Sequence, residues 1–207
     1  MFIAKLLAVT AIAVAGMLAT PTPATESRPL DRAVRGLVRD GAPGALAVVR
    51  TPSGVHRAHA GLGRRRPSVP LADTDRFRVA SITKTFVAVV VLQLAEEGRL
   101  DLDQPVASIL PGLVPDGHSI TIRELLGHTS GLFDYLDDEA FVRAVIAHPG
   151  RRWPPRRLVS IATAHPLLFR PGHGWSYSNT NYIVLGLVVE ALTGTTIGEQ
   201  LTQRIFT

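Results

Sequence analysis

Two residues three apart, Ser81 and Lys84, lie at the start of a strongly apolar stretch, "RVASITKTFVAVVVLQLAEEG". At helical spacing they are near neighbours on one face. A helix start offers free backbone N–H groups and the positive end of the helix dipole, both of which favour a developing anion. A serine hydroxyl is a weak nucleophile without a base, and a lysine in a desolvated setting can act as that base. Arginine cannot, because it keeps its proton in proteins. The chain has 22 Lys and Arg residues, and only Lys5 and Lys84 among them are lysine. The alternative reading is structural, with Ser81 a helix cap and Lys84 a solvated surface charge.

A second group lies far downstream, in "PGHGWSYSNTNYIVLG". Tyr177 could relay a proton between Ser81 and a leaving group. The Asn179 amide could hold a substrate carbonyl. Their structural alternatives are a packed aromatic and a helix cap. The joint occurrence of Ser81, Lys84, Tyr177 and Asn179 favours nucleophilic catalysis over four unrelated structural roles.

The elements that must position these residues are mostly helical. "PLDRAVRGLVRDG" puts Leu30, Val34, Leu37 and Val38 on one helical face, with Gly41 past its end. "ALAVVR", "TPSG" and "VHRAHAGLG" read as strand, turn, strand. Residues 64–75 read as a connection. Residues 81–97 form one helix stopped at Gly98. "ITIRELLG", "EAFVRAVIAHPG", "PRRLVSIATAHP", "SNTNYIVLGLVVEALTG" and "TIGEQLTQRIF" add five more. Helix and hairpin followed by a run of helices is an α+β order. A lone hairpin is marginal in water, so the sheet is expected to need further strands.

Composition narrows the chemistry. With no cysteine, disulfides and thiolate catalysis are excluded. The seven histidines show no metal-binding spacing, and neither metal nor cofactor is expected. The formal charge of +5 rests on arginines beside loop prolines, without interleaved aromatics. Solvated surface charge, or contact with anionic cell-envelope polymers, fits this better than nucleic acid. Lys5, the apolar run "LLAVTAIAVAGMLA" and "TPTPA" look like a secretory signal cleaved near Ala24, residues 1–24, with an uncleaved N-terminal anchor as the alternative. The mature chain then divides into residues 25–76, holding helix, hairpin and connection, and a helical part over 77–207.

Three blocks carry a family resemblance: "FRVASITKTFVAVVVLQLAEEGRLDLDQPV", "ITIRELLGHTSGLFDY" and "WSYSNTNYIVLGLVVEALTG". From about Leu30 onward the chain resembles the serine D-alanyl-D-alanine carboxypeptidases and class C β-lactamases, and Ser-x-x-Lys is a motif of that wider group. The resemblance implies a β-lactamase/DD-peptidase-like fold: an incomplete α/β domain plus most of an all-helical domain. It implies that Ser81 is acylated by a D-Ala-D-Ala peptide or a β-lactam. Lys84 would belong to the proton-transfer machinery, Tyr177 would pass protons to the leaving amine, and Asn179 would bind the substrate amide. The Ser81 backbone N–H would serve as an oxyanion-hole donor. His128 is expected to make a structural loop hydrogen bond, and Glu190 to have no catalytic part. An esterase or D-amino-acid amidase of the same family is the neighbouring alternative, and a monomer is expected.

One departure is large. The family's third motif, His/Lys-x-Gly on a later strand, has no counterpart here: His128-Thr129-Ser130 lacks the glycine, and His173-Gly174 precedes Tyr177. The sequence therefore resembles the N-terminal part of a longer enzyme. Taken alone, the 207-residue chain is expected to be an inactive fragment with an open sheet edge and an exposed apolar face.

Overall fold

The computed structural model describes residues 27–206. The apolar N-terminal run and the cleavage position near Ala24 lie outside the described residues. The chain divides into two compact units, the first ending at Arg78 and the second beginning at Val79.

In the first unit, helix α1 (Ser27–Arg39) precedes strands β1 (Gly44–Thr51) and β2 (Gly54–Arg64). The two strands pair antiparallel in continuous register, from Gly44 opposite Gly61 to Thr51 opposite Gly54. Helix α1 packs on β2, and Val34 is buried there at 2% exposure. Gly61 has φ +79°, and a Cβ at that position would collide with the backbone of Pro43 and Gly44, so only glycine fits the pairing. Two expectations need correction. Leu37 is 51% exposed, so the inward seam of α1 narrows to Val34, which is buried, flanked by the half-buried Leu30 and Val38. The connection also contains a short strand, β3 (Val69–Pro70), antiparallel to β2, giving the order β1-β2-β3. Proline next to Val69 hid this strand, since proline is admitted only at sheet edges.

The second unit is helical. A 3₁₀ turn (Ala80–Ile82) leads into α2 (Thr83–Glu96), followed by α3 (Ile122–Gly127), α4 (Glu139–Ala147), α5 (Pro155–Ala162), α6 (Asn179–Thr193) and α7 (Ile197–Arg204). Helices α2 and α6 are apolar nearly all round, the pattern of central helices. Val90, Val91 and Leu94 of α2 and Val184, Leu185, Val188 and Val189 of α6 are fully buried, with Ile120, Ile122 and Leu125 from around α3. Helix α3 begins with a reciprocal cap: Thr121 Oγ1 accepts from the Glu124 N–H, and Glu124 accepts from the Thr121 N–H. Helix α7 repeats the device with Thr196 and Glu199. Arg204 hydrogen-bonds the Glu97 carboxylate, tying the end of α7 to the end of α2. Among the described residues no single helix is long and apolar enough to cross a membrane.

Candidate active site

Ser81 does not sit within a continuous helix from 81 to 97. It lies in the 3₁₀ turn, one residue after Ala80, whose φ of +47° is unusual for a residue with a Cβ. An α-helix cannot extend back through such a backbone; Ser81 and Ile82 belong to the 3₁₀ turn, and α2 starts at Thr83. The serine is left exposed at the turn, with Lys84 on the first turn of the helix.

Lys84 Nζ donates to Ser81 Oγ at 3.2 Å, and the Tyr177 hydroxyl donates to the same oxygen at 2.9 Å. Lys84 Nζ also donates to Asn179 Oδ1 at 2.7 Å. It lies 4.9 Å from the Tyr177 ring centroid and 5.6 Å from that of Tyr182, within range of cation–π attraction. The four residues singled out from the sequence thus meet around one exposed hydroxyl. Asn179 is the first residue of α6, and its side chain turns to Lys84 rather than capping the helix.

The loop after α3 holds Tyr177 in place. Its backbone accepts from Ser176 N–H at His128 O (3.0 Å), from Gly172 N–H at Thr129 O (2.9 Å) and from Leu168 N–H at Gly131 O (2.8 Å). Gly131 has φ +78°, and an added Cβ would collide with the Phe169 carbonyl. His128 closes α3 in a left-handed conformation. Its Nδ1 accepts from the Ser178 N–H at 3.1 Å, and its ring stacks on Tyr177 at 4.5 Å. An acceptor Nδ1 defines a neutral ring with its proton on Nε2. Burial, and then the Lys84 charge, push the His128 pKa below the ordinary imidazole value, against a smaller opposing pull from Asp134.

Two residues not singled out from the sequence join the site. Asp134, buried at 7% exposure, accepts from Asn179 Nδ2 at 2.6 Å. Tyr182 donates to Leu126 O at 3.2 Å, and burial raises its pKa. Asp134 lies 45 residues from Asn179, a separation that no local pattern bridges. Tyr182 meets Lys84 only because α2 and α6 come together, which no local spacing shows. Glu190 accepts from the Ile197 N–H at 3.2 Å, a structural role at the start of α7. Beside Lys84 and Asn179 opens a cavity of about 260 Å³, walled by Val87, Ile183, Leu187 and Leu201 with Tyr135 and Glu190. Two other cavities, of about 290 and 510 Å³, share no lining residue with the Ser81 group.

A family description, "Beta-lactamase", matches residues 30–207. The chain belongs to the β-lactamase family. The penicillin-binding protein 4 of Amycolatopsis lactamdurans is 33% identical to it over 177 residues, 80% of this chain and 42% of that protein. The esterase EstB of Burkholderia gladioli is 39% identical over 162 residues, 73% of this chain and 41% of that protein. The solved D-stereospecific amidohydrolase of a Streptomyces species superposes with a TM-score of 0.80 at 42% identity, covering 87% of this chain and 54% of its own. This β-lactamase-family chain therefore spans about half the length of those relatives. Its helices and small three-stranded sheet are the β-lactamase/DD-peptidase-like fold, in part.

Proposed function

We propose that the protein containing this chain is a serine hydrolase working through an acyl-enzyme on Ser81. The observation that carries this is the convergence of Lys84 Nζ and the Tyr177 hydroxyl on Ser81 Oγ, at 3.2 and 2.9 Å. Ser81 Oγ attacks the substrate carbonyl. Its proton passes to the Lys84–Tyr177 pair once one of them has become an acceptor. Tyr177 then delivers a proton to the leaving group, and the acyl group remains on Ser81 until water, activated by the same pair, releases it. The Ser81 backbone N–H supplies one oxyanion donor. Asn179 holds the amide carbonyl of the acyl group.

The substrates are small molecules: D-Ala-D-Ala peptides or β-lactams. A second reading is hydrolysis of D-amino-acid amides or esters, supported by the higher identities to the amidohydrolase and the esterase, 42% and 39% against 33%. Export past the cytoplasmic membrane is part of this proposal. An N-terminus near residue 25 in the exported protein supports cleavage, and a retained Met1 supports an anchor.

The experiment is covalent labelling of the full-length protein with a fluorescent penicillin and a reactive ester, followed by peptide mapping. The adduct is expected on Ser81, and Ser81→Ala should abolish it. Absence of any adduct on Ser81 with both reagents overturns the proposal. Comparative turnover of acyl-D-Ala-D-Ala peptides, D-amino-acid amides and small esters then separates the two substrate readings.

A further inference from the structure

The Asn179 amide is wedged between two groups of opposite demand. On one side Lys84 Nζ, at 2.7 Å, can only donate when protonated. On the other the Asp134 carboxylate, at 2.6 Å, can only accept when ionised. One orientation of the amide satisfies both, with Oδ1 toward Lys84 and Nδ2 toward Asp134. Nδ2 carries a second N–H, which has no acceptor among the described residues.

We propose that Asp134 is a positioning residue that locks this orientation, so that the second Asn179 N–H faces the substrate carbonyl while Oδ1 holds Lys84 against Ser81. The proposal rests on the acyl-enzyme reading above. The lock is built to be rigid. The segment around Asp134 is stitched to the start of α6 on both sides. Phe133 O accepts from Thr180 Oγ1 at 2.7 Å and from Ser178 Oγ at 3.3 Å, and the Tyr135 N–H donates to Thr180 Oγ1 at 3.2 Å. The second oxygen of Asp134, Oδ1, is taken by the Leu136 N–H at 3.0 Å. Asp134 therefore caps its own turn with one oxygen and orients Asn179 with the other.

Asp134→Asn separates these two jobs. Its side-chain oxygen can still accept from Leu136, which preserves the cap. Its NH2 then confronts the NH2 of Asn179. Relieving that clash by flipping Asn179 puts donor against donor at Lys84. Acylation of Ser81 in the full-length protein is expected to slow by about 10- to 100-fold, as when the hydrogen-bonded partner that orients a metal ligand is lost. The melting midpoint should stay close to that of the parent. In an Asn179→Ala background, Asp134→Asn should cost nothing further, because the group it orients is gone. A purely structural Asp134 would give the same loss in both backgrounds, and that result, or wild-type acylation by Asp134→Asn, overturns the proposal.

If Asp134→Asn does not fold, the unmutated protein still decides. One Asn179 side-chain amide proton should be shifted well downfield by the carboxylate and the other should not. Two unshifted protons overturn the proposal. Failure of the unmutated protein to acylate at all would count against the acyl-enzyme reading and leave the amide resonances to judge the lock.

Discussion

The unit that begins at Val79 encloses a continuous core of wholly buried side chains, whereas the unit that ends at Arg78 buries only Val34 and Ala58 among its described apolar residues. Val48 and Val49 are 52% and 42% exposed. Adjacent strand residues point to opposite faces. Among the described residues, β1 therefore presents an exposed side chain on each face at that point. The residues assigned to acyl transfer all belong to the densely packed unit. A nucleophile whose partners must be held to within a fraction of an ångström needs side chains that cannot move, and close packing supplies that.

The difference is open to direct attack. Leu125→Ala, in the core at 0% exposure, should cost about 2–5 kcal/mol by denaturant melting, whereas Leu37→Ala in α1 should fall within about 0.5 kcal/mol of the parent. Equal losses would break the comparison. Gly131→Ala imposes a Cβ at φ +78° against the Phe169 carbonyl and should cost about 1–3 kcal/mol, with a parallel loss of Ser81 labelling as the Tyr177 loop shifts.

A pH titration sharpens the contrast further. The folded His128 pKa lies below its unfolded value, so the stability it contributes is complete above about pH 6.5. That stability is lost as the pH falls through the lower folded value. Protonation puts a hydrogen on Nδ1 and evicts the Ser178 N–H. The melting midpoint should drop on acidification, and His128→Gln should flatten the drop. An unchanged slope would remove His128 from this role. A small effect is expected at Ala80. Glycine relieves a left-handed residue that costs about 1–2 kcal/mol, but adds chain entropy of its own. Ala80→Gly should therefore stabilise by under about 1 kcal/mol while slowing acylation through a looser Ser81.

The two units also differed in how far they could be read from sequence. In the helical unit, long apolar runs stopped by Gly98 and Gly194 marked α2 and α6, and the three-residue interval from Ser81 to Lys84 survived the change from α-helix to 3₁₀ turn, since both bring such residues together. Tyr177 and Asn179 were legible as polar residues at a helix entrance. Asp134 was not, because its meaning depends on an amide 45 residues away. His128 was legible only as a loop residue, since its stacking on Tyr177 requires two loops to meet. In the hairpin unit the pairing of β1 and β2 followed from two strand-like runs on either side of the turn "TPSG". The exposure of Leu37 did not, because helical periodicity defines a face without saying how wide a partner covers it.

Ser81 receives its two hydrogen bonds from residues of opposite provenance, Lys84 one turn away and Tyr177 at a sequence separation of 96. Local helix formation can deliver the first within microseconds. The second waits for closure of a long loop, among the slower steps of folding. Reactivity at Ser81 is therefore a late product of folding, and a covalent label on it would count only molecules that have finished. During refolding, the rise of label against the earlier rise of helical signal would time the arrival of the tyrosine.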